Sequence, residues 1–335
     1  MSGESQDTIA AVVVTYNRKK ELGKCLSAIL NQALPVDAIF IIDNVSTDGT
    51  PEYLVEKGFL DSAALSSDKE PLESVKTIKS PLFSDTTIEV HYVRMHENTG
   101  GAGGFHEGIK RSYDAGFDWL WLMDDDGYPV EDQLLELLDK TIKNNLYFSG
   151  PLVVDKDNEQ ALTFRPAHLR NVENSVDAVK ADATDGIIYG WVTPFNGTLI
   201  SRRVIDEIGN IKKEMFIWGD EREYVLRTEA NKIRVGTIIT AVHLHPARIG
   251  KRERLLFGFL GRVIIRPPDK ANIYYRNLGY LHAKYYGLEK HLKTLIKHTV
   301  FFLVNMKFNI KGLIGFYRYY IDGVTDSYSL PPERK

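Results

Sequence analysis

Three consecutive aspartates, Asp124-Asp125-Asp126, close a mostly apolar run from Phe117 to Met123 and are followed by Gly127. Like charges a few ångström apart raise one another's pKa unless a cation or hydrogen-bond donors compensate, so positive charge is expected there. Asp124 and Asp126 are hard oxygen ligands suited to Mg²⁺ or Mn²⁺, ions commonly held by one or two carboxylates plus substrate phosphates. The plainer reading is a solvated acidic turn that caps the next helix. Placement directly after a buried strand favours metal and diphosphate binding.

Other residues add chemistry of the same kind. Asp43 ends the apolar run Ala38 to Ile42, where its carboxylate can accept hydrogen bonds from a nucleobase N–H or a ribose hydroxyl; alternatively, Asp43 and Asp48 only cap the helix after Gly49. Asn98-Thr99-Gly100-Gly101-Ala102-Gly103-Gly104 reads as a glycine turn permitting close backbone approach to a ligand. It lacks the Gly-Lys-Ser/Thr of a P-loop and the spacing of the dinucleotide fingerprint, which disfavours both routes of nucleotide binding. Trp218-Gly219-Asp220-Glu221-Arg222-Glu223-Tyr224 gathers carboxylates at the start of a predicted helix. They either complement the helix dipole or include a base for an acceptor hydroxyl. His243 and His245 alternate along an apparent strand and therefore share a face, as ligands or as ordinary core groups.

These positions need a scaffold, and the hydrophobic periodicity supplies one. Strands are expected at Ile9 to Thr15, Ala38 to Ile42, Ile88 to Arg94, Phe117 to Met123 and Phe148 to Val154, separated by helical spacings such as Leu22, Leu26, Ile29 and Leu30. Alternating strands and helices imply a parallel sheet covered on both faces, with the ligand-bearing loops at one edge. Residues 58–87, with six serines and two prolines, read as a long mobile excursion. After Arg266-Pro267-Pro268 the pattern changes to Tyr- and Lys-rich helical stretches, so a boundary is drawn between residues 1–266 and a helical appendage at 267–335.

The chain has 335 residues, 42 basic and 45 acidic, a net charge of −3, and 43% hydrophobic content. That excludes a disordered or collagenous chain and gives no global reason to expect nucleic acid as a partner. The single cysteine, Cys25, permits no internal disulfide, and no run reaches the ~18 apolar residues of a spanning helix. A cytoplasmic protein without a leader is expected.

Taken in order, these motifs resemble the family 2 glycosyltransferases, inverting enzymes with the GT-A fold that use sugar nucleotides. Ala11 to Arg18, with Thr15, Asn17 and Arg18 at the turn, is similar to the family's opening strand. Ile42 to Thr50, with Asp43 and Asn44, resembles its uridine-contacting segment, and Glu97 to Gly104, with Asn98, Gly100, Gly101 and Gly104, its Asn-x-Gly-x-x-Gly turn. Asp124-Asp125-Asp126 falls where the family keeps its metal-binding Asp-x-Asp.

The resemblance implies an α/β fold of GT-A type, with a Rossmann-like, mixed but mostly parallel sheet flanked by helices, and a C-terminal helical appendage. Trp218 to Tyr224 resembles the Trp-Asp-Asp-x-Glu-Tyr segment of galactofuranosyltransferases, which implies Glu221 as base with Asp220 as rival. A metal-binding histidine follows in that subgroup, which implies His245 first and His243 second, beside Asp124 and Asp126 around Mn²⁺ or Mg²⁺. Donor contacts are implied for Thr15, Asn17, Arg18, Asp43, Asn44, Asn98, Gly100, Gly101, Gly104, Asp124 and Asp125, and acceptor contacts for Trp191, Asn196 and Trp218. The Gln-x-x-Arg-Trp motif of processive synthases is absent, which implies one sugar per transfer.

The expected donor is a nucleoside-diphosphate sugar, UDP-linked and by the subgroup UDP-galactofuranose, and the expected acceptor a glycan or lipid-linked glycan. Two rivals are a catalytically silent carbohydrate-binding or nucleotide-binding scaffold and a sugar-nucleotide nucleotidyltransferase. The latter should carry a glycine- and lysine-rich loop after the first strand, and Tyr16-Asn17-Arg18-Lys19-Lys20 contains no glycine. In the appendage, lysines interleave with apolar residues between Lys290 and Arg318. That pattern suits a peripheral contact with the inner face of a membrane, or else packing on the catalytic domain or into a homo-oligomer.

Overall fold

The computed structural model describes residues 7–66, 71–164, 175–247 and 251–328. Its elements run β1 (Ile9–Thr15), α1 (Lys19–Leu30), β2 (Ala38–Asp43), α2 (Thr50–Glu56), β3 (Leu72–Lys79), β4 (Thr87–Arg94), α3 (Gly100–Asp114), β5 (Trp119–Asp124), β6 (Tyr128–Pro129), α4 (Gln133–Lys143) and β7 (Phe148–Asp155). There follow β8 (Asn158–Leu162), α5 (Val176–Lys180), β9 (Ile187–Tyr189), β10 (Asn196–Ser201), α6 (Arg202–Ile208), α7 (Asp220–Ala230) and β11 (Val235–His245). The last are β12 (Arg252–Arg254), β13 (Arg262–Ile264), α8 (Ala271–Tyr285), α9 (Leu288–Val300) and α10 (Ile310–Val324).

Every residue of β1 and β2 is buried, as unbroken apolar strands must be when helices cover both faces. Among the described residues, an 11-stranded sheet runs β3-β4-β2-β1-β5-β10-β7-β11-β6, with β8 beside β7 and β9 beside β11. Strands β4, β2, β1 and β5 are parallel neighbours, β10 runs antiparallel between β5 and β7, and β11 returns parallel to β7. The sheet is therefore mixed and mostly parallel. Helix α1 buries Leu22, Cys25, Leu26 and Ile29 against it at helical spacing.

Two expectations are corrected here. Within the 58–87 excursion, Leu72–Lys79 forms β3 and pairs antiparallel with β4 along its whole length. It reads as loop because Glu73, Ser74, Lys76, Thr77 and Lys79 are polar, the composition by which an edge strand avoids further pairing. Residues 67–70 of that excursion lie outside the described residues. The glycine cluster is also no turn, since α3 begins at Gly100. A Cβ on Gly104 would lie 2.5 Å from Val14 Cγ1, and one on Gly108 would collide with Val12. The small residues let α3 settle closely on β1.

By packing, the chain divides into one unit of residues 1–213 and 227–247 and another of 214–226 and 248–335. The second unit thus takes in residues 248–266 and the acidic segment, where the sequence boundary stands at 267. Its core joins Leu255 and Val263 of the β12–β13 hairpin to Phe301, Phe302, Phe316 and Tyr320. The helical pattern read after residue 267 is broken between α9 and α10, where Lys307 and Phe308 take positive φ and the Asn309 side chain accepts from Gly312 N to start α10. Among the described residues no helix is long and apolar enough to cross a membrane.

Candidate active site

Strand register brings three of the sequence-derived positions to one edge. Thr15 pairs with Asp43 across β1 and β2, and Val14 pairs with Asp124 across β1 and β5, so the carboxyl ends of three neighbouring strands are level. This is where ligands of such sheets bind.

The positive charge demanded by the aspartates is Arg18. Its guanidinium lies 2.9 Å from Asp125 Oδ1 and 2.9 Å from Asp126 Oδ2. Asp125 also accepts from the Thr15 hydroxyl at 2.7 Å and, more weakly, from Tyr16 N at 3.4 Å. Burial still dominates and pushes the Asp125 pKa up to about 6, against the lowering effect of Arg18 and Thr15. Asp125 is thus an inward anchor that ties the β1 turn to the β5 turn, and Asp126 is the carboxylate shared between Arg18 and the histidine strand.

β6 sets that sharing, because it pairs with β11 in the register Pro129↔His243 and Tyr128↔Leu244. His245 Nε2 lies 3.3 Å from Asp126 Oδ1, and its Nδ1 is 2.9 Å from the Pro246 carbonyl. A carbonyl only accepts, so Nδ1 carries the proton and a neutral ring turns the Nε2 lone pair toward the carboxylate. Two lone pairs face each other there unless a proton or a cation lies between. Adjacent ligands about 2.1 Å from one octahedral ion are about 3 Å apart, so the pair fits a divalent cation, with Nδ1 oriented by a backbone carbonyl as in metal-ligating histidines.

His243 is placed differently. Its Nδ1 is 3.1 Å from Gln133 Oε1, and its fully buried Nε2 has no hydrogen-bond partner among the described residues. Burial pushes its pKa down to about 3, with His245 acting in the same direction. Gly127 lets the acidic turn lie on both rings, since a Cβ there would stand 2.5 Å from His243 Nε2 and 3.2 Å from His245 Cδ2. Among the described residues no group of three or more His, Cys, Asp or Glu gathers as a ready metal cluster. Of Asp124, Asp126 and His245, the structure sets the last two face to face.

The remaining donor-side residues brace one another. Asp43 is fully buried, accepting from Ser46 N at 2.7 Å and the Tyr92 hydroxyl at 2.8 Å; burial raises its pKa despite these bonds. Asn44 donates to the Gly100 carbonyl and accepts from Thr99 N and its hydroxyl, while Asn98 accepts from Gly100 N. Asn17, at φ 54°, accepts from Thr47 N. Gly101 has open space where a Cβ would be. The β1, β2 and α3 loops are thereby fixed together before any ligand arrives.

Asn196 lies opposite Met123 on the strand beside β5, and its buried Oδ1 has no hydrogen-bond partner among the described residues. Trp191 is half-buried against the cluster of Leu152, Val154 and Ile188. In the second unit Trp218 and Gly219 take positive φ, and Asn277 donates to the carbonyls of Met215, Ile217 and Trp218. Asp220 is buried, Glu221 is half-buried and accepts from Gly219 N at 3.2 Å, and Glu223 accepts from the Tyr285 hydroxyl at 2.6 Å.

Sequence reasoning missed Arg266. Its guanidinium stacks 4.2 Å over Trp218 and 5.0 Å from Tyr274. Only its position before Pro267-Pro268 distinguishes it in the sequence.

The family model "Glycosyl transferase family 2" matches residues 10–58 and 67–209, more than half of the chain. Galactofuranosyltransferase GlfT1 of Mycolicibacterium smegmatis is 28% identical over 315 residues, covering 92% of this chain and 93% of its own. The GlfT1 of Mycobacterium tuberculosis is 28% identical over 309 residues, 92% of each. The dTDP-rhamnosyl transferase RfbF of Shigella flexneri is 25% identical over 142 residues, 42% of this chain and 46% of its own. Among solved structures, S. aureus TarS 1–349 in complex with UDP-GlcNAc superposes with a TM-score of 0.55 at 12% identity, covering 95% of this chain and 81% of that one; this likeness concerns the fold. With the family model running through the ends of β1, β2, β4 and β5, the chain belongs to glycosyl transferase family 2 and is a glycosyltransferase.

Proposed function

We propose that the protein transfers one sugar, with inversion, from a UDP-sugar to a hydroxyl of a glycan or lipid-linked glycan, with UDP-galactofuranose as donor. The observation that carries the donor side is the level set of strand ends, with Arg18 held by Asp125 and Asp126 at 2.9 Å and Asp126 facing His245 at 3.3 Å. The galactofuranosyl reading rests on the relatives named above, whose alignment spans nearly the whole chain.

Thr15, Asn17, Asp43, Asn44, Asn98, Gly100, Gly101 and Gly104 would shape the nucleoside pocket, and Arg18 would turn from the aspartates toward the diphosphate. Asp126 and His245 would hold a divalent cation, Mn²⁺ or Mg²⁺, with Asp124 close by in sequence. When bound, that ion neutralises charge on the departing diphosphate.

Glu221 or Asp220 takes the proton from the acceptor hydroxyl as its oxygen attacks the anomeric carbon from the face opposite the diphosphate. Trp218 and Trp191 would pack on sugar C–H faces, and the free Oδ1 of Asn196 would accept from a sugar hydroxyl. The enzyme would work at the inner face of a membrane if its acceptor is lipid-linked, through its C-terminal helices or as a homo-oligomer.

The test is nucleoside diphosphate release across UDP-, dTDP- and GDP-sugars, with and without Mn²⁺. Selective turnover of UDP-galactofuranose supports the reading. Turnover confined to dTDP-sugars overturns the donor assignment.

A further inference from the structure

Among the described residues, the most exposed large apolar side chains lie in one short segment. In the turn between β12 and β13, Phe257 is 99% exposed and Phe259 93%. The turn is firmly held: Leu255 before it and Val263 after it are buried in the core of the second unit, and the two strands pair from Arg252↔Ile264 to Arg254↔Arg262. Leu256 and Phe257 take positive φ, a conformation disfavoured for bulky residues, and both phenylalanine rings stand in water.

Basic groups stand on the strands that carry the turn. Arg254 and Arg262 pair next to it, Lys251 and Arg252 lie further back, all four are exposed, and Lys297 of α9 reaches to within 3.3 Å of where a Cβ on Gly261 would stand. Glu253 is the single acid among the strand residues, and Asn305 donates to it at 3.4 Å. Asn305 also donates to the Arg254 carbonyl at 2.9 Å, which sets the hairpin beside the end of α9. Along α9 itself Leu292 and Ile296 are half-exposed one turn apart.

We propose that this hairpin is an interfacial anchor for an anionic bilayer, with Phe257 and Phe259 inserted among the lipids and the surrounding arginines and lysines on the headgroups. An apolar tip carried on strands rich in exposed cations matches a negatively charged lipid surface in both parts. A protein partner fits less well. Two aromatic rings bury roughly 150–250 Å² each, far below the roughly 1,600 Å² of a standard interface. This anchor deepens the proposed membrane contact but does not rest on the donor or the sugar.

The test uses the full chain and vesicles of phosphatidylcholine with or without phosphatidylglycerol. Flotation should require the anionic lipid and weaken at high salt. Phe257→Ala with Phe259→Ala should lower vesicle affinity at least tenfold, and Arg252→Gln with Arg254→Gln about fivefold per charge, the equivalent of about 1 kcal/mol for each cation near the surface. Transfer between soluble substrates should be unchanged in both variants.

Because Cys25 is buried and is the only cysteine, Phe257→Cys accepts an environment-sensitive dye selectively. Its emission should shift to the blue with anionic vesicles and be quenched by lipid-borne quenchers, while a dye at Asp157→Cys should stay aqueous. Vesicle binding unaffected by the double alanine variant, with the dye at 257 remaining in water, overturns the proposal. So does failure of the folded chain to bind anionic vesicles at low salt, or loss of a concentration-dependent dimer as the sole effect of the alanine variant.

Discussion

Removing Arg18 should do two opposite things to the same cluster. Its guanidinium is the counter-ion of Asp125 and Asp126, both nearly excluded from water, and it is itself about one-third exposed. Breaking a fully buried pair costs about 3–5 kcal/mol, whereas exposed pairs contribute about 0–1 kcal/mol. The intermediate exposure of Arg18 places Arg18→Ala at about 1–2 kcal/mol of lost stability in metal-free buffer.

The same substitution takes the guanidinium away from Asp125 and Asp126, so a divalent cation should bind about 5–30-fold more tightly, the equivalent of about 1–2 kcal/mol. Donor affinity should fall, because the diphosphate loses its guanidinium. Urea unfolding with and without Mn²⁺, together with calorimetric Mn²⁺ titration of the donor-free protein, reads both effects. If Mn²⁺ binds Arg18→Ala no better than the parent, or if Mn²⁺ does not narrow the stability gap, then Arg18 does not compete with a cation for Asp126.

Asp126→Ala and His245→Ala should each abolish Mn²⁺ binding in that titration, and EDTA should stop transfer until Mn²⁺ or Mg²⁺ is restored; undiminished binding in either variant refutes the facing pair as ligands. Of Glu221→Gln and Asp220→Asn, the one that removes the base should lower kcat by orders of magnitude with donor binding largely intact, and near-normal turnover in both would place the base elsewhere. The helical unit should be sensitive to acid. Burial holds the His282 and His298 pKa values down to about 4, so the unfolded chain takes up protons first and stability, complete above about pH 6.5, declines as pH falls toward 4. Each contributes a loss of about 2 kcal/mol by pH 5, measurable by denaturant melts, and His298→Phe should flatten the decline.

Much of the fold was legible because its signals are carried by covalent neighbours. Ile9–Thr15, Ala38–Asp43 and Trp119–Asp124 are apolar runs whose next residues are turn formers or acids, so strand, strand end and chemistry are written in one short segment. The alternation of His243 and His245 likewise announces a shared face. What the local pattern cannot carry is choice of partner through space. Arg18 meets Asp125 across 107 residues. His245 rather than His243 meets Asp126 because β6 fixes the register of β11, while Gln133 engages His243.

The glycine cluster shows the same limit. Locally it reads as a ligand-cradling turn, but the proximity of Val12 and Val14 makes it a helix face. β3 was hidden because an edge strand needs polar residues, and its identity comes from pairing with β4. Composition and periodicity thus determined the elements and the order of the strand-end motifs. Ion pairing, ring stacking such as that of Arg266 on Trp218, and strand register were left to the tertiary structure, since each depends on distances that only the closed chain defines.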